Sequence, residues 1–441
     1  MKIFYFFWAL LFTATVSMGG VPAAQYQGET PPPSPLPEVS GAFELSVVRK
    51  GMSRVWELKA NDAAGAYYAS LAQRELGKKY DIPYGTGSLL PNQFYVQDYP
   101  VYQWRGLHVD VSRHFFDKET IKRLLDCMAE LRLNRLHLHL TDGPGWRIEI
   151  KKYPLLTEQG AWRKKLPVND WNWHDNRLGA NYPEVYGGFY TQDDMRELIA
   201  YAAARYITIV PEVDMPGHFA AALEAYPHLA HPAYKTGNWP YSYDFLNVED
   251  PAVLEFACIV LDELMAIFPQ GTPIHIGGDE VDLHLVSAEQ QRVFVQKLVD
   301  YLASKGYPAI TWDEAATNGV RGQIVMLWRG EKVEEVLALG LPTILCPNSH
   351  FYFDYPQNDS PDEPQSMPAP VISTEKVFSY NVPQQGNIIG LQGNLWSEYI
   401  YTPELLFHKA FPRAAALAER AWGSPRRSYA EFLRDYKIKN K

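Results

Sequence analysis

The chain has 441 residues, 46% of them apolar and 21% charged, which is enough to bury a sizeable core. A net charge of −10 and the lack of any Lys/Arg-rich run exclude a nucleic-acid footprint. Cys127, Cys258 and Cys346 are widely spaced and lack pairing motifs, which excludes a disulfide framework. At the N-terminus, Lys2 precedes an apolar run over residues 3–16, and small residues follow at Gly19, Gly20, Ala23 and Ala24. This pattern predicts a secretory signal peptide over 1–24 and a secreted or periplasmic protein. The run is shorter than the ~20 residues that span a bilayer, and no other stretch is apolar enough, so no integral membrane segment is expected after its removal. A proline-rich linker is expected over 25–39. A small unit over 40–100 contains a helix predicted at 63–76 and ended by Gly77.

From 101 to 441 apolar, β-branched runs alternate with helical patterns. Strands are expected at 105–112, 133–142, 206–215, 273–281, 308–314, 323–328, 342–348 and 387–396. Helices are expected at 117–131, 192–204, 251–268, 287–304 and 411–422. Eight strands with intervening helices predict an α/β fold: a (β/α)8 TIM barrel with a small N-terminal α+β accessory domain. The fifth crossover, 315–322, is too short for a full helix. An open doubly wound sheet would normally carry a glycine-rich nucleotide fingerprint after a strand, and none is present.

The predicted strands gather charge and tryptophan at their C-terminal ends. The second ends at Asp142, the third runs through Glu212 and Asp214 to His218, and the fourth ends at Asp279 and Glu280. The fifth ends with Trp312, the sixth with Trp328, and the eighth with Trp396 and Glu398. In a barrel these ends converge on one mouth, where active sites are built. Carboxylates with Trp, Tyr and His, and no Lys/Arg cluster, suit a neutral polyhydroxylated ligand with apolar ring faces. Glycoside hydrolysis needs a proton donor at the leaving oxygen and support for an oxocarbenium-like centre. Asp279 and Glu280 can both serve one pocket if Gly277-Gly278 ends the strand and turns the chain. A metal site from Asp279, Glu280, Asp282 and His284 matches no established ligand spacing.

These motifs resemble glycoside hydrolase family 20, the β-N-acetylhexosaminidases. The resemblance rests on residues 104–115, 137–142 with Gly145-Trp146-Arg147, 211–218, and the His275-x-Gly277-Gly278-Asp279-Glu280 run. It continues through 311–314, Trp328, Tyr352-Phe353-Asp354, 396–398, Pro412-Arg413 and 421–423. It implies that the substrate's own 2-acetamido oxygen is the nucleophile, with Glu280 as acid and then base and Asp279 orienting the acetamido group. Tyr352 would hydrogen-bond the acetamido oxygen, and Trp312, Trp328 and Trp396 would enclose methyl and ring. Arg105 and Glu398 would hold the distal hydroxyls, Asp142 would be a pocket carboxylate, and His218 with Asp214 would support the acid. No metal or organic cofactor is implied, and the partner is an oligosaccharide or glycan. Leu138 and Gly143 stand where the family often has Trp and Asp, so altered support at the pocket rim is expected. The loop 164–188, with Trp171 and Trp173, either offers an aromatic surface to the leaving sugar or packs on the barrel. Release of a disaccharide and sugar binding without catalysis are the competing readings.

Overall fold

Alternating apolar residues build the first unit of the computed structural model, which describes residues 22, 24–51, 53–79, 93–164, 185–234, 244–423 and 427–439. Strands β1 (Tyr26–Gly28), β2 (Phe43–Lys50), β3 (Ser53–Ala60) and β4 (Gln93–Asp98) pair antiparallel in the order β1-β4-β2-β3. Phe43, Leu45 and Val47 on β2, with Phe94 and Val96 on β4, point to one face because side chains alternate along a strand. They pack on Tyr68, Leu71 and Leu76 of α1 (Ala63–Lys79). Two details depart from expectation. Gly77 does not end α1, since one glycine inside a helix costs only about 1 kcal/mol. Tyr26–Gly28, expected to belong to the linker, pairs with β4 in the register Tyr26↔Gln97. The expected signal peptide, apart from Pro22 and Ala24, lies outside the described residues, as do Trp171 and Trp173.

The second unit is a closed barrel of eight parallel strands. It opens with β5 (Trp104–Asp110) and β6 (Arg135–His139). Two short hairpins follow β6 outside the barrel: β7 (Thr141–Asp142) with β8 (Gly145–Trp146), and β9 (Trp162–Lys164) with β10 (Val185–Gly187). The barrel continues with β11 (Thr208–Glu212), β12 (Ile274–His275), β13 (Ala309–Trp312), β14 (Ile324–Leu327), β15 (Thr343–Leu345) and β16 (Ile388–Leu395), which returns to β5. Every expected barrel strand forms, each shorter than its apolar run. Where the polar ends begin, the ladder stops and the backbone turns over the mouth. The crossover after β13 holds only the short helix Asp313–Thr317.

The helices start where side chains can satisfy free N–H groups. Asp117 Oδ1 accepts from Thr120 N at 2.8 Å to open Lys118–Glu130. Ser287 and Gln290 form a reciprocal capping box at Ala288–Ser304. Among the described residues no helix is long and apolar enough to cross a membrane.

Candidate active site

Strand β12 is only two residues long because Gly277 (φ +70°) and Gly278 (φ +94°) bend the chain out of the sheet. A Cβ on Gly277 would sit 1.5 Å from Asp214 Oδ1, so only glycine fits there. Asp214 Oδ1 accepts from Gly278 N at 3.0 Å and holds the bend. The turn puts two consecutive acids on one cavity in different surroundings. Asp279 is 8% exposed, whereas the Glu280 side chain is 62% exposed. Burial, reinforced by the charge of Asp214, holds Asp279 well above the usual carboxylate range. Burial also pushes Asp214 up, to about 6, and the two side chains are hydrogen-bonded. This pair therefore binds a proton that two separate carboxylates would release.

Behind Glu280 lies a chain of alternating imidazoles and carboxylates. His218 Nε2 is 3.6 Å from Glu280 Oε2, and its Nδ1 is 3.3 Å from Asp142 Oδ2. His139 Nε2 also meets Asp142 Oδ2, at 2.9 Å, and His139 Nδ1 meets Glu212 Oε2 at 2.6 Å. Glu212 in turn faces His137 Nε2 at 3.1 Å and His275 Nδ1 at 2.9 Å, and accepts from Trp312 Nε1 at 2.8 Å. Burial opposes charge on Asp142, but Arg113 and His218 outweigh it and hold the carboxylate ionised. Burial likewise opposes charge on His139, but Glu212 and Asp142 keep it protonated well above the usual imidazole range. Sequence reasoning assigned His218, Asp142 and Asp214 and missed the buried members His139, Glu212, His137 and His275. Their signal was present in the alternating histidines of β6 and the polar last residues of β11 and β12, strands that should be apolar inside a barrel.

The opposite wall is aromatic. Tyr352 and Trp328 stack with ring centroids 6.2 Å apart, and Trp396 lies 6.2 Å from Tyr352. Trp312 departs from expectation: it is fully buried and forms the floor 5.9 Å beneath Trp396, without lining the cavity. The cavity between these walls has a volume of about 680 Å³.

Arg105 is a correction. It lies at the far end of β5, donating to Arg132 O (2.8 Å), Tyr102 O (2.9 Å) and Tyr68 Oη (3.0 Å) between the barrel and helix α1 of the accessory unit. The arginine at the mouth is Arg113, three residues past β5. Its guanidinium is 2.8 Å from Asp142, 3.2 Å from Asp110 and 3.9 Å from Glu398, and lies over the Trp396 ring. Sequence reasoning chose the arginine at the N-terminal end of the strand, which lies at the barrel's underside, opposite the mouth. Asp354 was quoted in a motif but given no role. It lines the cavity, 1% exposed, and its carboxylate oxygens lack a well-formed hydrogen bond among the described residues. Burial, then the nearby Glu398, raises Asp354 well above the usual carboxylate range. Arg113, Asp354 and Glu398 thus form a corner of donors and acceptors fit for hydroxyl groups.

Among the described residues, three groups bring potential metal-ligand atoms within 4.8 Å of one another: His108, His139 and Glu212; His137, Glu212 and His275; and Asp214, His218 and Asp279. In the first two, Glu212 already accepts from Trp312 and pairs with His139, while His275 Nδ1 accepts from Gly277 N. In the third, Asp214 and Asp279 are bonded to each other. Hydrogen bonding therefore accounts for much of this clustering.

Comparison with known proteins agrees with this geometry. Residues 102–425 match the glycosyl hydrolase family 20 catalytic domain. A β-hexosaminidase of Porphyromonas gingivalis is 36% identical over 433 residues, covering 90% of this chain and 53% of the relative. A β-hexosaminidase of Akkermansia muciniphila is 30% identical, covering 89% and 82%. The crystal structure of a Vibrio harveyi exo-β-N-acetylglucosaminidase with N-acetylglucosamine superposes with a TM-score of 0.77 at 30% identity, covering 90% and 65%. The chain thus spans about half the length of the first of these relatives. A family match over most of the chain, on a barrel whose mouth carries the family's acidic pair, leads to one assignment: the chain belongs to glycosyl hydrolase family 20.

Proposed function

We propose that this protein is an exo-acting β-N-acetylhexosaminidase that removes terminal non-reducing β-linked GlcNAc or GalNAc from oligosaccharides or glycans, by substrate-assisted retaining catalysis. The observation that carries the reading is the pair of adjacent acids in unlike surroundings, one buried against Asp214 and one exposed beside His218. In a glycosidase that takes its nucleophile from the substrate, the two acids have different tasks. Glu280 protonates the leaving oxygen while the acetamido oxygen attacks C1 and the glycosidic bond breaks. The resulting oxazolinium is opened when Glu280 takes a proton from water attacking C1. Asp279 accepts the acetamido N–H, so it must be ionised when the sugar is bound; the proton it shares with Asp214 then moves to Asp214 or leaves. Tyr352 donates to the acetamido oxygen, and Trp328 and Trp396 cover methyl and ring above Trp312. Arg113, Asp354 and Glu398 take the distal hydroxyls. His218 and Asp142 hold the acid in place, and the relay to Glu212 fixes His139.

No cofactor enters this scheme. We further read residues 1–24 as an export signal to a secreted or periplasmic destination, 29–39 as a linker, 40–100 together with strand Tyr26–Gly28 as the accessory unit and 101–441 as the catalytic barrel. The test is hydrolysis of aryl β-GlcNAc and β-GalNAc with and without a thiazoline transition-state mimic. Turnover blocked by the thiazoline is expected. Equal turnover of an aryl β-glucoside, which lacks the acetamido group, would contradict the mechanism. Asp279→Asn should lose about a thousandfold in kcat, the scale of removing one preorganised transition-state contact.

A further inference from the structure

The wall beside the Arg113–Asp354–Glu398 corner is made by Met367-Pro368-Ala369. These residues are the inner tip of a loop that leaves after Tyr355 and returns at Ile372, its ends closed by Ile372 N donating to Pro356 O at 2.9 Å. Compact loops of this length with adjoining ends hold their shape through their own contacts. This one is fixed from behind by two buried cations. Arg413 donates to Tyr355 O (3.0 Å) and Ile372 O (3.1 Å), clamping both ends. Lys409, fully buried, donates to Glu363 Oε1 at 2.7 Å, to Pro364 O at 3.3 Å and to Ser366 Oγ. An ammonium has three N–H groups, and this loop takes all three. Glu363 also accepts from Gln357 N at 3.2 Å and Asn358 Nδ2 at 3.0 Å, tying the loop's outer turn to the same point. Met367 N donates to Asp354 O at 3.3 Å, joining the pinned loop to the cavity corner.

We infer that this loop is the stop at the non-reducing end of the pocket, and that Lys409 and Glu363 are positioning residues that restrict the enzyme to a single terminal sugar. The inference rests on the reading of the Arg113–Asp354–Glu398 corner as the site of the distal hydroxyls. A second sugar on those hydroxyls would have to occupy the space of Met367-Pro368-Ala369. Neither Lys409 nor Glu363 lines the cavity; Lys409 also lies in the field of the Asp354 carboxylate, so Glu363→Gln and Pro368→Gly, which keep that ammonium, isolate the effect of the loop.

The experiment compares wild type, Lys409→Met, the near-isosteric Glu363→Gln and the tip variant Pro368→Gly on aryl β-GlcNAc and on aryl β-N,N′-diacetylchitobioside, with products resolved by chromatography. Wild type should release only GlcNAc from the chitobioside, with free aryl appearing after a lag. Lys409→Met and Glu363→Gln should raise KM for aryl β-GlcNAc roughly tenfold with kcat within about threefold. They should also release the disaccharide directly, without the lag, and Pro368→Gly should do so with the pins intact. Unchanged KM with no disaccharide from any variant would overturn the inference. So would loss of kcat in Glu363→Gln and Pro368→Gly at wild-type melting temperature, which would make the loop part of the catalytic frame. A wild-type enzyme inert towards aryl β-GlcNAc would instead refute the proposed function.

Discussion

Arg105 and Arg113 stand eight residues apart at opposite ends of one path through the barrel, and each lies over a tryptophan. Arg105 lies over Trp422, 5.0 Å from the ring centroid, and its recorded partners are two backbone carbonyls and a tyrosine hydroxyl. Arg113 lies over Trp396, 5.1 Å away, and its partners are carboxylates at the cavity. Carbonyls cannot change charge, so Arg105 is a rivet between the barrel and helix α1 of the accessory unit. Carboxylates can exchange a guanidinium for a sugar hydroxyl, so Arg113 belongs to a site that rearranges on binding. The same residue type serves cohesion at the bottom of the barrel and recognition at the top, and the direction of the strand decides which.

The sharpest way to break this contrast is to truncate both. Arg113→Ala should lower kcat/KM about a thousandfold, near 4 kcal/mol, with little loss of melting temperature, checked by steady-state kinetics beside thermal unfolding. Arg105→Ala should do the reverse. It orphans two buried acceptors and one half-buried one and should cost about 3 kcal/mol of stability, while folded enzyme keeps near-normal kcat in denaturant titration with parallel assays. Equal loss of activity in both variants would erase the distinction.

Two smaller effects probe the mouth through pH. Burial, then Asp279 and Asp313, raises Glu314 to about 8, and it accepts from Trp328 Nε1 at 3.0 Å. A carboxyl with a raised folded pKa binds its proton more tightly in the native state, so stability is lost as pH rises from about 4.5 through 8. Glu314→Gln should remove that loss and exceed wild type by about 2 kcal/mol at pH 8 but not at pH 5, measured by urea unfolding. Asp214→Asn removes a negative charge that helps raise Asp279. Because Asp279 must ionise to accept the acetamido N–H, the acidic limb of kcat/KM should move down by about one pH unit. An unmoved limb would mean that Asp279 does not set it.

Much of the site was legible because its residues sit at the ends of apolar runs, where charge is out of place in a barrel core. Asp279, Glu280, Asp142, Asp214, His218, Trp328, Tyr352, Trp396 and Glu398 were found this way or through the family resemblance, and all line one cavity. The errors share a cause. Arg105 and Trp312 were assigned, and Asp354 passed over, by type and neighbourhood, but the direction of each side chain depends on where the ladder stops. Glu212 was quoted without a role because its partners come from β6, β12 and β13.

Local pattern was enough for the eight-strand alternation, the helix starts at Asp117 and Ser287, the glycine turn before the acidic pair and the family. These depend on local periodicity, capping and backbone freedom, which a short stretch of chain already contains. Long-range packing chose which arginine meets the sugar, which acid is buried, and which lysine braces the pocket wall. Those outcomes depend on charges and volumes brought together from residues as far apart as Asp110 and Ser397, whose side chain and amide meet at 3.0 Å only once the last strand returns to the first.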